Sequence, residues 1–266
     1  MTEIIKVTGL CKSFGGVHAA NNIDFSLQEG EVRGIIGPNG SGKSTFFNLL
    51  TGIYTPDEGT IIYDGHNIAG WEPHRIASHG IARTFQLLRM FTEMSVLDNL
   101  MIGCHCQVNY GALSAPFAPL TIAREEKVLR EEMMDILQTI GLADYAHVTA
   151  SEMSIGQRRL LALGRAIAMK PRILMLDEPA AGLSPVNVDN LMAIVMKLKD
   201  KYGLTLIIVE HILKVVMETC DRISVLDHGE KIAEGSPDEV RDDHAVIEAY
   251  LGKEMADDEV RQLLAS

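Results

Sequence analysis

The chain has 266 residues, 47% of them hydrophobic and 23% charged, an ordinary globular composition that excludes a wholly disordered chain. That length predicts one large or two intimate domains, with a core big enough to need no disulfide or metal staple. A net charge of −12 repels phosphate backbones and disfavours general nucleic-acid binding.

In chain order, Ile4–Val7 and Ile23–Leu27 read as short strands. Val32–Ile36 reads as a buried strand running into a glycine-rich turn, and Lys43–Thr51 as the helix after it, stopped by Gly52. Thr60–Tyr63 is a strand closed by an Asp64-Gly65 turn. Residues 94–102 and 121–140 carry helical periodicity, and Gln107–Leu120, with two prolines, reads as a loop between them. Residues 87–155 are therefore expected to form a mainly helical insertion. An amphipathic helix ends near Met169, and the last third then alternates. Arg172–Leu176, Thr205–Val209 and Arg222–Leu226 read as strands, Val186–Lys201 and Ile212–Thr219 as helices, and that alternation means parallel strands with crossover helices. Residues 238–266 hold nine acidic residues against three basic ones, half of the net charge, and read as a solvated helical tail.

Four cysteines, Cys11, Cys104, Cys106 and Cys220, are too few for a disulfide scaffold and fit a reducing compartment. Cys104-His105-Cys106 has no second ligand pair at zinc spacing and reads as ordinary thiols. The N-terminal stretch lacks a basic start followed by an apolar run, and no uncharged apolar stretch reaches ~18 residues. The expectation is a cytosolic chain that works at a membrane only by docking on a partner.

Gly37-Pro38-Asn39-Gly40-Ser41-Gly42-Lys43-Ser44 matches G-x-x-x-x-G-K-[ST], with a strand before it and a helix, continuing through Thr45, after it. Glycines let such a backbone curl so that its N–H groups form an anion nest, and the helix N-terminus adds its positive dipole end. Lys43 is placed to reach terminal phosphates, and the Ser44 hydroxyl to ligate Mg²⁺. Residues 172–178 form the second piece, an apolar strand delivering Asp177 and Glu178 at its C-terminal end, where ligands sit in open α/β sheets. One acid would hold the metal and its neighbour would orient and polarise an attacking water. Lys43 and Asp177 stand 134 positions apart, more than one crossover unit needs, so a subdomain intervenes between the two halves of the site.

Met153-Ser154-Ile155-Gly156-Gln157-Arg158-Arg159, at the end of the insertion, resembles the LSGGQ signature of the ATP-binding cassette (ABC) ATPases. Gln86 in Arg83-Thr84-Phe85-Gln86 looks like that family's Q-loop, His211 like its switch histidine, and Ala181-Gly182-Leu183-Ser184-Pro185 stands at the D-loop. Phe14 stands where the family stacks an aromatic on adenine. These elements come in family order and span nearly the whole chain.

The resemblance implies an α/β P-loop NTPase (RecA-like) core of parallel strands, an N-terminal antiparallel β subdomain and an inserted α-helical subdomain. The ATP-binding domain would cover residues 3–253, followed by an acidic tail over 254–266. ATP and Mg²⁺ are the implied cofactors, with Ser44, Gln86 and Asp177 as metal residues and Glu178, His211 and Gln86 as catalytic ones. Ser154, Gly156 and Gln157 would close on the γ-phosphate held by an opposing subunit, so that two nucleotides are sandwiched head to tail. Nucleotide state would move the insertion, whose groove around Leu87–Glu93 would receive a helix of a membrane subunit.

Three positions depart from the family pattern. Met153 replaces leucine, a tolerable apolar exchange. The D-loop lacks its common aspartate and ends Ser184-Pro185. Ile155 replaces the first signature glycine, and a β-branched residue there requires an ordinary backbone conformation, or else a weakened phosphate contact.

Within the family, the chain is most similar to the ATPase subunits of branched-chain amino-acid importers. The residues that suggest this are Arg83-Thr84-Phe85-Gln86, the long loop after Gly103, Gly156-Gln157-Arg158-Arg159-Leu160, Val209-Glu210-His211, Ile232-Ala233-Glu234-Gly235 and, above all, Val246-Ile247-Glu248-Ala249-Tyr250-Leu251-Gly252. Related systems for urea, amide or lipopolysaccharide transport share much of this. The implied partners are integral-membrane permease subunits, a second ATP-binding subunit (the same chain or a paralogue) and, indirectly, a periplasmic or extracellular solute-binding protein, with no nucleic acid. The implied place is the cytoplasmic face of the inner membrane. Two competing classes remain. A non-transport ABC ATPase would carry two cassettes, coiled-coil or zinc insertions or basic arms, none visible here, and a binding module without turnover would not need Glu178 and His211.

Overall fold

The computed structural model describes residues 2–84, 90–104 and 119–251. Strands β1 (Glu3–Phe14) and β2 (Val17–Gln28) form a long hairpin, followed by β3 (Val32–Ile36) and helix α1 (Lys43–Leu50). Then come β4 (Glu58–Tyr63), β5 (His66–Asn67), α2 (Pro73–Ser78) and β6 (Ile81–Thr84). Helices α3 (Val96–Gly103), α4 (Pro119–Thr139) and α5 (Ile155–Ala168) stand between β6 and β7 (Ile173–Asp177). The chain continues with α6 (Pro185–Tyr202), β8 (Thr205–Val209), α7 (Leu213–Thr219), β9 (Arg222–Asp227), β10 (Glu230–Gly235), α8 (Pro237–Arg241) and α9 (His244–Leu251).

Two sheets result. One runs β10-β9-β3-β8-β7-β6, in which β9, β3, β8, β7 and β6 are parallel and only β10 is antiparallel. The other is antiparallel, in the order β2-β1-β4-β5. The parallel strands are near-continuous apolar runs because both faces are covered. Successive side chains point to opposite faces, and the core divides accordingly. Ile173 and Met175 of β7, with Ile207 and Val209 of β8, pack with Phe46, Phe47 and Leu50 of α1 and with Ile5, Val7, Phe25 and Ile61 of the antiparallel sheet. Leu174, Leu176, Leu206 and Ile208 face the other way, among Leu161 and Ile167 of α5, Val195 of α6 and Val216 of α7.

Most strand cores fall where the sequence places them, and the differences have local causes. β1 and β2 run well beyond Ile4–Val7 and Ile23–Leu27, because register shifts at Val7/Leu10 and beyond break the apolar alternation that a strand shows in sequence. β6, β10 and α2 are short and leave no pattern in the sequence, while the tail read as solvated is helical over α8 and α9 but packs Val240 and Val246 into the core. Within β3, Arg33 is fully buried, held by Glu31 at 2.7 Å and Glu234 at 3.0 Å and lying over the Phe25 ring. The Asp64-Gly65 turn is present, with φ of 47° and 77°, a two-residue hairpin turn joining β4 to β5. Pro119–Leu120, read as the end of a loop, already belongs to α4. Cys104 is buried with its thiol on the Met101 carbonyl at 3.0 Å, whereas His105 and Cys106 lie outside the described residues.

Gly34 marks a close approach of α7 to this sheet. A Cβ there would stand 2.5 Å from Cγ1 of Val216 and 3.0 Å from Sγ of Cys220. Gly34→Ala should therefore destabilise the fold by about 1–3 kcal/mol through overpacking. Urea denaturation checks this, expecting a lower midpoint at unchanged slope.

Candidate active site

In the order β9-β3-β8-β7-β6, the parallel strands release their loops side by side at one edge of the sheet, the usual place for ligands in open α/β sheets. Residues 37–42 follow β3, residues 210–212 follow β8, and residues 178–184 follow β7. The sequence motifs thus converge through topology, although Lys43 and Asp177 stand 134 positions apart.

The loop after β3 is glycine-bound for steric reasons. Gly37 has φ 150° and Gly42 φ 102°. A Cβ on Gly37 would overlap the Leu226 carbonyl oxygen at the end of β9, and one on Gly42 would overlap that of Ala19 in β2. A Cβ on Gly40, at φ 82°, would meet no atom within 4 Å among the described residues. Helix α1 starts from Gly42 without a capping side chain, which leaves its first-turn N–H groups free of any protein cap. Such an end suits an anion. Lys43 is buried, its ammonium donating to the carbonyls of Gly37 at 2.7 Å and Pro38 at 2.9 Å. Burial lowers its pKa, and the negative charge of Glu178 opposes that shift. Ser44 is exposed, Thr45 half-buried.

At the end of β7, Asp177 accepts from Nη2 of Arg83 at 2.6 Å. Arg83, on β6, also donates to Asn48 of α1 at 2.7 Å, so one guanidinium joins the acid to the helix behind the phosphate loop. Glu178 lies in the left-handed region at φ 47°, a strained conformation for a non-glycine residue, and its N–H donates to the Val209 carbonyl at 2.9 Å. His211 is 54% exposed beyond the end of β8. Glu210, before it, is fully buried. Its carboxylate accepts from the N–H of Ala180 at 2.7 Å and of His211 at 3.1 Å. Burial raises its pKa, and the N–H groups of Ala180, His211 and Ile212 pull it back.

Ser154 caps α5 in a reciprocal box: its Oγ accepts from the Gln157 N–H at 3.3 Å, and Gln157 Oε1 accepts from the Ser154 N–H at 2.9 Å. Ser154, Ile155 and Gly156 are exposed. Ile155 is the first helical residue and is absent from the positive-φ positions, so its β-branch meets an ordinary backbone. Phe14, at the tip of the first hairpin, is 43% exposed and packs edge-on against Tyr54 with centroids 5.1 Å apart. Gln86 and Leu87–Arg89 lie outside the described residues, as does the tail beyond 251.

The structure thus brings the loops of Lys43, Asp177, Glu178 and His211 to one edge, and leaves the Ser154 end as a separate exposed surface. Three side chains that the motifs contain carry contacts the sequence did not suggest: Arg83, Arg159 and Glu210. A fourth is Tyr250 of α9, whose phenol burial pushes up to about 12 while the Gly37 backbone opposes the shift. Its only sequence signal was its place in the motif ending at Gly252.

For a divalent cation, no group of three or more His, Cys, Asp or Glu side chains among the described residues forms a ligand cage. A serine hydroxyl and one carboxylate suit Mg²⁺, which keeps waters and binds substrate phosphates as well. The Arg83 guanidinium on Asp177 shows that this carboxylate accepts a cation. No described helix is long and apolar enough to cross a membrane.

Comparison with known proteins extends this reading. Residues 20–181 match the family described as ABC transporter, and residues 230–256 match that described as branched-chain amino acid ATP-binding cassette transporter. The chain is 41% identical over 250 residues to the high-affinity branched-chain amino acid transport ATP-binding protein BraF of Pseudomonas aeruginosa, covering 94% of this chain and 98% of that protein. It is 38% identical, with the same coverage, to the corresponding protein LivG of Escherichia coli. An ABC transporter cassette in its ADP conformation superposes with TM-score 0.82 at 36% identity, covering 95% of this chain and all of that one. A dimeric bacterial ABC transporter cassette does so with TM-score 0.73 at 26% identity, over 88% and 98%. The chain belongs to the ABC transporter family, as one of its ATP-binding, ATP-hydrolysing cassettes.

Proposed function

We propose that this cassette powers import of branched-chain or related amino acids through separate membrane permeases, from the cytoplasmic face of the membrane, as half of a cassette dimer. The observation that supports the engine is the single sheet edge shared by the phosphate loop, Asp177–Glu178 and His211. The C-terminal match over residues 230–256 supports the solute class. The solute itself would be chosen by the permeases and a solute-binding protein.

The residues divide the work. The amides of residues 37–45 and the Lys43 ammonium bind the phosphates, and Phe14 offers a face to the base. Ser44 and Asp177 would hold Mg²⁺, with Gln86 completing the set; the ion supplies charge neutralisation on the phosphate oxygens. Arg83, which pairs with Asp177 at 2.6 Å, would have to release that carboxylate for it to hold the ion. Glu178 orients and polarises the attacking water, and His211 contacts the γ-phosphate. Ser154 and Gly156 present a helix N-terminus to the nucleotide of the opposing subunit, which explains why that end is exposed in a lone chain. Loss of the γ-phosphate removes those contacts and reopens the dimer.

Lys43→Ala should weaken ATP binding and lower kcat/KM by about 10²–10³; titration with a fluorescent ATP analogue checks this, and unchanged affinity refutes the phosphate-loop assignment. Glu178→Gln should keep ATP binding and accumulate a closed dimer, read by size-exclusion chromatography in ATP; a monomer there counts against the sandwich. For the solute, proteoliposomes carrying the cassette with its permeases should take up leucine only with ATP, and uptake of urea alone would overturn the amino-acid reading.

A further inference from the structure

Glu210 is an expensive residue to place where it is. It has no exposed surface, and among the described residues its only ion-pair neighbour is the ring of exposed His211, 3.7 Å away. A buried carboxylate without a lysine or arginine partner costs more than a neutral side chain of the same size. In return it accepts from N–H groups on two different loops, Ala180 after β7 and His211 after β8, through charge-assisted bonds.

The segment it holds is gripped from the other side too. Arg159, on the signature helix α5, donates to the carbonyls of Pro179, at 3.1 Å, and Ala181. Residues 179–181 therefore turn an N–H toward Glu210 and carbonyls toward Arg159. One residue earlier, the N–H of strained Glu178 is tied to Val209. Glu178 is thus bracketed by two bonds to consecutive residues at the end of β8. A cavity of about 50 Å³ lined by Arg159, Asp177, Glu178 and Ala181 lies beside this joint and gives the segment room to shift if a bond is lost.

We propose that Glu210 is a positioning residue that locks the loop of Glu178 to the loop of His211, so that both side chains, together with the signature helix held through Arg159, keep one geometry for hydrolysis. The proposal rests on the roles given above to Glu178 and His211. It leaves nucleotide binding to the phosphate loop, with which Glu210 shares no hydrogen bond.

Glu210→Gln tests this, because an amide of the same size can accept from only one of the two N–H groups. Steady-state ATP hydrolysis and binding of a fluorescent ATP analogue are measured on the full chain. The expected result is a kcat about tenfold lower, with KM and nucleotide affinity within twofold of the parent and an intact thermal transition. Glu210→Asp, which keeps the charge with a shorter reach, should restore part of kcat, and it decides the matter if the glutamine variant does not fold. A kcat within twofold of the parent for both variants overturns the proposal. So does a parallel loss of kcat and affinity, which marks a merely structural residue. Glu178→Gln, assayed separately for its ATP-dependent dimer, tests the sandwich alone: if it stays monomeric while Glu210→Gln shows the kcat–KM split, the sandwich falls and the clamp stands.

Discussion

Everything at the site depends on β3, β8 and β7 lying as neighbouring parallel strands buried on both faces. Their registers set Ile35 opposite Val209, and Val209 opposite Asp177. Burial of apolar side chains on both faces of these strands fixes the registers, since a slip of one residue would swap the contents of the two cores. The loops have no comparable cores of their own. They inherit their relative positions from where the strands stop, so the precision of the site comes from the sheet.

That origin explains what the sequence made legible. Phosphate-loop chemistry is local: Gly37, Gly42 and Lys43 are demanded within eight positions, and the pattern is readable because the physics is short-ranged. The buried parallel strands β7 and β8 are readable for the same reason, through uninterrupted apolar runs. Contacts between side chains far apart in the chain are not. Arg83 reaches Asp177 across 94 positions, and Ala180 reaches Glu210 across 30, and neither pairing leaves a periodicity or spacing to detect. Short elements such as β6 and α2 fall below the length at which a pattern separates from chance. The hairpin β1–β2 extends through bulges that erase the alternation by which strands are recognised.

Two cations hold the two acids of the site by different means. Asp177 is countered by a guanidinium at 2.6 Å, whereas Glu178 acts on the Lys43 ammonium through its field. Lys43 itself is satisfied by the carbonyls of Gly37 and Pro38, so burial of its charge is offset by hydrogen bonds that a phosphate can replace without leaving the ammonium unpaired. Within one chain Asp177 and Lys43 each have partners that a ligand can exchange. An anion of high charge brings its own acceptors for Lys43 and its own claim on the cations, so binding substitutes partners rather than creating unpaired charge.

The signature end follows a different logic. Its capping box is closed within the chain, with Ser154 and Gln157 each satisfying the other's backbone, so α5 is stable without a ligand. The box uses the serine hydroxyl as an acceptor only. A hydroxyl also carries one donor proton, and that proton stays available to an oxygen approaching from outside. Gly156 adds a backbone N–H in the first turn of the same helix, where no intrahelical acceptor exists. Ile155 sits between them with an ordinary backbone and 68% of its surface exposed, so replacing glycine there removes no donor from the helix end. What the substitution adds is an apolar side chain on the very surface that a mate would cover. Burying it fully would contribute about 1.5–3 kcal/mol to association. The departure from the family pattern at Ile155 therefore leaves the donors of the helix end in place, and in the dimer proposed above it would add apolar surface to the joint.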